Sequence, residues 1–373
     1  MVTPMRIVLT VASLAPEFGG PVTKVLSLAA ALRRMGQLAT VVSVGTKPLL
    51  ADDSHTEIVA LAPALAFHGT PIPRPMHRIA RLVRDADVVH VIGLRDPVGT
   101  IAAVTARALG IPYVIEPAGM FRRQFRSLAL KRAFDFSIGR SVLVGARRII
   151  ATSAMEAEEL TAGGVDAGRV GLRSNGIVAP PLRQRGAFRV RIGIAHDTPL
   201  VLTLGRIAMK KGLIPLVEVM SRIPDVHLAI AGPDSGDGTL RRLRATVDRL
   251  VLGHRVHIVA EPLYGTDKAD ALTDADVFCL WSLHENFGQA AGEAAACGTA
   301  VVVSDQCGIA EWLGAGVEVV PCGDHDALSS RLGDLLADPA RRTQLGAVGR
   351  DAALRLDWNV LAHQQLLLYE QVA

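Results

Sequence analysis

Twelve short apolar runs alternate with longer stretches of helical periodicity along this chain. In the first half the runs are Arg6–Ala12, Ala39–Val44, Asp87–Gly93, Pro112–Glu116, Arg148–Thr152 and Arg169–Arg173. In the second half they are Pro199–Leu204, Val226–Ala231, Arg255–Val259, Asp276–Leu280, Thr299–Val303 and Val317–Val320. Such alternation specifies βα units and parallel sheets. A chain of 373 residues exceeds one ordinary core, and the two series are equal in length. The expectation is therefore two similar Rossmann-like sheets rather than one wide one. Pro180-Pro181 and the polar string Arg183-Gln184-Arg185-Gly186 mark the boundary, giving domains 1–182 and 183–356. A last helix begins at Asp357-Trp358-Asn359. It carries an apolar stripe of Leu361, Leu366, Leu367 and Leu368, suited to packing on something already folded.

Composition narrows the function. Aromatics make up 4% of the chain and apolar residues 50%, so the core is built from Ala, Val, Leu and Ile. No apolar stretch is long enough to span a membrane. Met1 to Arg6 lacks the features of a signal peptide, and Ile7 to Ala12 reads as a first strand. Cys279, Cys297, Cys307 and Cys322 form no CxxC pair and read as reduced core residues, which implies a cytoplasmic protein. The first 182 residues carry 21 Lys+Arg against 13 Asp+Glu, and the remainder 19 against 23. A basic first half suits an anionic acceptor or membrane surface, or is simply arginine spread over solvated faces. No basic platform interleaved with aromatics appears, which argues against nucleic acid.

In open α/β sheets, ligands bind beyond the carboxyl ends of the strands, so the chemistry belongs in the strand-to-helix turns. The most informative turn is Glu285-Asn286-Phe287-Gly288-Gln289-Ala290-Ala291-Gly292-Glu293. Ala290 to Cys297 reads as a helix ended by Gly298. Eight residues put the two glutamates ~12 Å apart along a helix axis, about the reach from sugar to ribose in a nucleotide sugar. Backbone N–H groups near Phe287 and Gly288 are suited to a phosphate between them. A second turn, Gly205-Arg206 with Lys210-Lys211-Gly212, offers a guanidinium fork and a point charge to a diphosphate, or is a solvated basic loop. A third, Phe18-Gly19-Gly20-Pro21, allows close backbone approach to a ligand or is an ordinary turn.

These pieces resemble the retaining GT-B glycosyltransferases that share a glutamate-seven-residues-glutamate motif. The resemblance extends to Ala231-Gly232-Pro233, Ala296-Cys297-Gly298-Thr299-Ala300-Val301 and Gly308-Ile309-Ala310-Glu311. It implies two facing Rossmann-like domains, with the final helix crossing back to the first. It implies a nucleotide-sugar donor in the second half and an unidentified acceptor in the first. Arg206 and Lys211 would hold the diphosphate, Glu293 the ribose, and Glu285 would face the transferred sugar. Gly19, Gly20, Asn286, Phe287 and Gly288 complete the expected donor set. The family often has a histidine in the loop after the fourth apolar run; here that loop reads Glu116-Pro117-Ala118-Gly119-Met120. Ala118 removes the imidazole, which leaves Ala118, Gly119 and Met120 as acceptor-side candidates. Glu116 either substitutes for it or simply ends the strand.

No metal or other cofactor is expected, because Arg206 and Lys211 supply positive charge. The Asp85/Asp87 and Asp274/Asp276 strings sit at strand entrances, the wrong end for a ligand. His254 and His257 lack a third ligand, and His90 reads as a core residue. The stretch 121–132, basic with interleaved apolar residues, suits peripheral contact with the inner membrane face or borders the acceptor cleft. The alternatives are an epimerase or phosphorylase on the same architecture, and a two-lobed binding protein. The missing signal peptide and the Glu285/Glu293 pair argue against the last.

Overall fold

The computed structural model describes residues 3–15, 19–45, 57–67, 70–121, 132 and 134–373. The chain divides into two compact units, Met1–Gly176 with Asp357–Ala373, and Ile177–Leu356. All twelve apolar runs form strands. In the first unit they are β1 (Arg6–Ser13), β2 (Leu38–Val44), β5 (Val88–Ile92), β6 (Tyr113–Glu116), β7 (Arg148–Ala151) and β8 (Val170–Leu172). The second unit holds β9 (Leu200–Leu204), β10 (His227–Ala231), β11 (Val256–Val259), β12 (Val277–Leu280), β13 (Ala300–Ser304) and β14 (Glu318–Val320).

The expectation of equal sheets is corrected. Two further strands, β3 (Glu57–Phe67) and β4 (Thr70–Arg74), extend the first sheet to eight strands in the order β4-β3-β2-β1-β5-β6-β7-β8. The second has six, in the order β11-β10-β9-β12-β13-β14. The reason β3 and β4 escape a reading of the sequence is proline. Pro63, Pro71 and Pro73 interrupt both runs, and such residues are tolerated only toward a sheet margin. There β4 pairs antiparallel with β3, while every other strand pair is parallel. No helix among the described residues is long and apolar enough to cross a membrane.

The helices Gly20–Arg34 and Trp358–Glu370 cover one face of the first sheet, where Val25, Leu28, Leu361 and Tyr369 pack on Leu9, Val41 and Val114. On the other face, the helices Met76–Arg84, Pro97–Leu109 and Ala154–Ala162 bring Ile79, Val98, Ala102 and Leu160 onto Val8, Val89 and Ile115. The closing helix is seated firmly. The Trp358 ring lies so close to Gly176 that a Cβ there would approach it to 2.3 Å.

Beneath that helix lies a buried ionic cluster. The Glu116 carboxylate is fully buried, ion-paired with Lys24 and held by Arg173 Nη2 at 2.8 Å. Arg173 in turn stacks over the Trp358 ring at 5.9 Å, and burial draws its guanidinium down to about 10. His90 Nδ1 lies 2.7 Å from the Tyr369 hydroxyl, and burial, then Arg173 and Lys24, push the His90 ring well below its ordinary range. His90 is thus a neutral core residue. Glu116 does more than end its strand, and its carboxylate is committed to two cations. Removing the anion that pairs directly with Lys24 and Arg173 strands them in a dry interior, at a cost of about 3–5 kcal/mol. Glu116→Gln is expected to lower the unfolding free energy by that amount in urea titration, whereas Asp85→Asn, at an exposed strand entrance, shifts it little.

Candidate active site

The residues expected to carry chemistry gather at the carboxyl edges of the two sheets, each group within its own unit. In the second unit the turn after β9 carries Arg206, Lys210 and Lys211. Lys211 ends a short 3₁₀ turn, Met209–Lys211, and the chain then passes through Gly212 at φ +62°. Only glycine fits there, since a Cβ would meet the Trp281 carbonyl oxygen at 2.2 Å. The Leu283 N–H donates to the Lys210 carbonyl at 2.8 Å, which stitches this turn to the segment leading to Glu285.

Glu285 is fixed by its backbone. Its N–H donates to the Gln306 carbonyl at 2.8 Å, and its carbonyl accepts from the Gly308 N–H at 3.0 Å. Its carboxylate is ion-paired with Lys211. Burial alone would raise the Glu285 carboxyl, but Lys211 and then Lys210 outweigh it and hold it below the ordinary carboxylate range. Lys210 is lowered by burial first; Glu285 raises it, and Lys211 and the exposed Arg206 lower it further. Two lysines therefore act on one carboxylate, and with Arg206 acting on Lys210 the turn keeps excess positive charge suited to a polyanion.

Gly288 precedes the helix Gln289–Ala296, in which Glu293 is buried with its carboxylate 2.5 Å from Lys268 Nζ. The Phe287 side chain packs into the core with Leu280, Ala291 and Ile309, so only its backbone is placed for a ligand. Two residues here were not evident from sequence. Lys268 is a lone lysine in the helix Gly265–Asp274, brought to Glu293 by helix packing. Asp237 accepts from the Met209 N–H at 3.0 Å and the Thr239 N–H at 2.9 Å, and so anchors the lysine turn. Burial raises its carboxyl, but bonds from Thr239, Met209 and Ser235 overcome that and hold it strongly depressed.

In the first unit, Gly19 (φ +66°) and Gly20 are exposed at the start of the helix Gly20–Arg34. Phe18 lies outside the described residues, as does the basic stretch 121–132 except for its two ends. With β3 and β4 counted, the loop of Ala118, Gly119 and Met120 follows the sixth strand in the chain rather than the fourth. Gly119, one of the acceptor-side candidates, has its N–H committed to Glu156 Oε1 at 2.6 Å. The strand-entrance aspartates act locally. Asp87 accepts from the Arg6 N–H, Asp274 from the N–H groups of Gly186, Phe188 and Arg189, and Asp276 from Arg185 and Arg189.

Two parallel-sheet α/β units, with this set of groups at their carboxyl edges, define a GT-B glycosyltransferase fold. Residues 184–352 match the family described as Glycosyl transferases group 1, and residues 19–176 match the Glycosyl transferase 4-like domain. The chain belongs to the group 1 glycosyltransferases. It is 34% identical over 243 residues to a D-inositol 3-phosphate glycosyltransferase of Xylanimonas cellulosilytica, a match covering 62% of this chain and 58% of that relative's length. It superposes on sucrose-phosphate synthase from Thermosynechococcus elongatus with a TM-score of 0.79 and 26% identity, covering 98% of both chains. Anabaena HepE, solved in complex with UDP and glucose, shares the fold at a TM-score of 0.81 and 18% identity, over 98% of this chain and 100% of that one.

Asp237→Ala releases the Met209 and Thr239 amides. We expect nucleoside diphosphate affinity to fall about tenfold, ~1.4 kcal/mol by calorimetric titration, as the lysine turn loses its anchor.

Proposed function

We propose that this chain transfers a sugar from a nucleoside-diphosphate sugar to a hydroxyl acceptor, with retention at the anomeric carbon and without a metal ion. The observation that carries this reading is the charge arrangement at the carboxyl edge of the second sheet. Lys211 and Lys210 act on Glu285, Arg206 acts on Lys210 from the same turn, and the buried Glu293 follows on the adjoining helix. Arg206 and Lys211 take the diphosphate and stabilise the charge that grows on it as the glycosidic bond breaks. Glu285 lies beside that position and meets the transferred sugar. Glu293 accepts the ribose hydroxyls, which compete with Lys268 for its oxygens.

An inverting reaction needs a base behind the acceptor hydroxyl, in line with the departing phosphate. Ala118 supplies none, and Glu116 is enclosed by Lys24 and Arg173. In this reading the leaving phosphate, on the same face as the incoming hydroxyl, is the base, and front-face transfer retains configuration. The acceptor is a carbohydrate, a lipid-linked sugar or a small molecule. The test begins with a thermal-shift panel of nucleoside diphosphates and their sugars, since a bound ligand raises the melting temperature. The preferred donor is then incubated with candidate acceptors, with and without EDTA.

Transfer is expected to survive chelation, and the proton coupling of the product's anomeric centre to match that of the donor. Inverted product, or activity lost in EDTA and restored by Mg²⁺ or Mn²⁺, would overturn the mechanism. Arg206→Ala and Lys211→Ala are each expected to slow transfer ~10²–10³-fold. Glu293→Gln is expected to weaken nucleotide binding more than it lowers kcat, read from binding isotherms beside steady-state rates.

A further inference from the structure

We propose that Arg95 and Glu156 are positioning residues for the transfer step, acting through the turn Pro117–Met120 that they clamp from two sides. The inference rests on the glycosyltransfer reading above, which puts the acceptor at this edge of the first sheet. It starts from backbone strain. Among the described residues, four that are not glycine have positive φ, and two of them, Arg95 (φ +76°) and Ala118 (φ +52°), belong to this one assembly. Ala118 is followed by Gly119 at φ +76°, and the Met120 N–H closes the turn on the Pro117 carbonyl at 3.0 Å. Consecutive left-handed residues persist only where their surroundings over-determine them, and such strain clusters at ligand-handling segments.

The surroundings here are two charged groups. Glu156, fully buried at the start of the helix Ala154–Ala162, accepts from the Gly119 N–H at 2.6 Å through Oε1. Through Oε2 it accepts from the Thr152 N–H at 2.9 Å and the Thr152 hydroxyl at 3.2 Å. A buried carboxylate with this many donors makes short, strong bonds and fixes the amide it holds. From the other side, Arg95 donates through Nη1 to the Met120 carbonyl and through Nη2 to the Phe121 carbonyl at 3.0 Å. Its fork is locked by Asp135, with Nε at 2.8 Å from Oδ1 and Nη2 at 2.7 Å from Oδ2. The Leu94 N–H adds a contact to Met120 Sδ at 3.4 Å.

A helix cap alone does not require this arrangement, because Ser153 Oγ already caps that helix by accepting the Glu156 N–H. The Glu156 carboxylate instead joins Thr152, through Oε2, to the Gly119 amide of the turn, through Oε1. The turn stands at the position where the family's histidine is replaced by Ala118. With no side chain there to meet the sugar or the acceptor, the backbone path itself sets what the reactants touch. A reacting group misplaced by about 1 Å costs roughly 10²-fold in rate.

The test uses the full chain and a donor–acceptor pair that the wild type converts, comparing Arg95→Ala, Arg95→Lys, Glu156→Gln and Ala118→Gly. Ala118→Gly relieves the left-handed strain and frees the turn, so it keeps the protein folded even if Glu156→Gln does not. The expected result is a fall in kcat of roughly tenfold to a hundredfold for Arg95→Ala and Ala118→Gly. Nucleoside diphosphate affinity should stay at the wild-type value, the fall in kcat should exceed what any change in melting temperature explains, and Arg95→Lys should recover part of the loss. Wild-type kcat in both Arg95→Ala and Ala118→Gly would overturn the inference, as would losses that merely track a lower melting temperature. A wild type that binds nucleoside diphosphate but transfers no sugar would overturn the glycosyltransfer reading instead, and the inference with it.

Discussion

Parallel pairing is the constraint on which the rest of this protein depends. When all strands of a sheet run the same way, every strand-to-helix turn opens on one edge. Residues far apart in the chain then become neighbours without any local instruction. Arg206 follows β9, Glu285 follows β12 and Asp237 follows β10, and their turns adjoin because those three strands are adjacent in the sheet. The first sheet does the same for Gly19 after β1, Arg95 after β5 and the Ala118 turn after β6. Helices on both faces keep the strands dry, so the polar groups are pushed to the one edge where the backbone is still reachable.

Charge is handled in two contrasting ways. Inside the first unit, Glu116 is enclosed with Lys24 and Arg173, and the cluster serves to seat the closing helix through Trp358 and Tyr369. Such a group adds little net stability over a well-packed apolar one but is costly to break, so it acts as a lock on one arrangement. At the edge of the second sheet the balance is deliberately incomplete. Lys211 is matched by Glu285, while Arg206 and Lys210 add further positive charge to the same turn. On the adjoining helix Glu293 is paired with Lys268, a single pair with one side chain partly exposed.

The sequence by itself determined the strands and the βα order, and it singled out the Glu285–Glu293 segment and the lysine turn. Apolar period and turn chemistry are local properties, and Glu285 and Glu293 are legible together because both lie on one continuous segment. Only the tertiary structure decided the rest. It added β3 and β4, where prolines mask the period and the sheet margin permits them. It gave Phe287 to the core and left only its backbone at the edge. It turned Glu116 from a strand end into the anion of a buried cluster, and brought Lys268 to Glu293 and Asp237 to the lysine turn. It also set Arg95 and Glu156 around Ala118, 23 residues after one and 38 before the other. Each of these depends on contacts between residues distant in the chain, and a hydrogen bond or ion pair of that kind leaves no period, spacing or composition by which the sequence announces it.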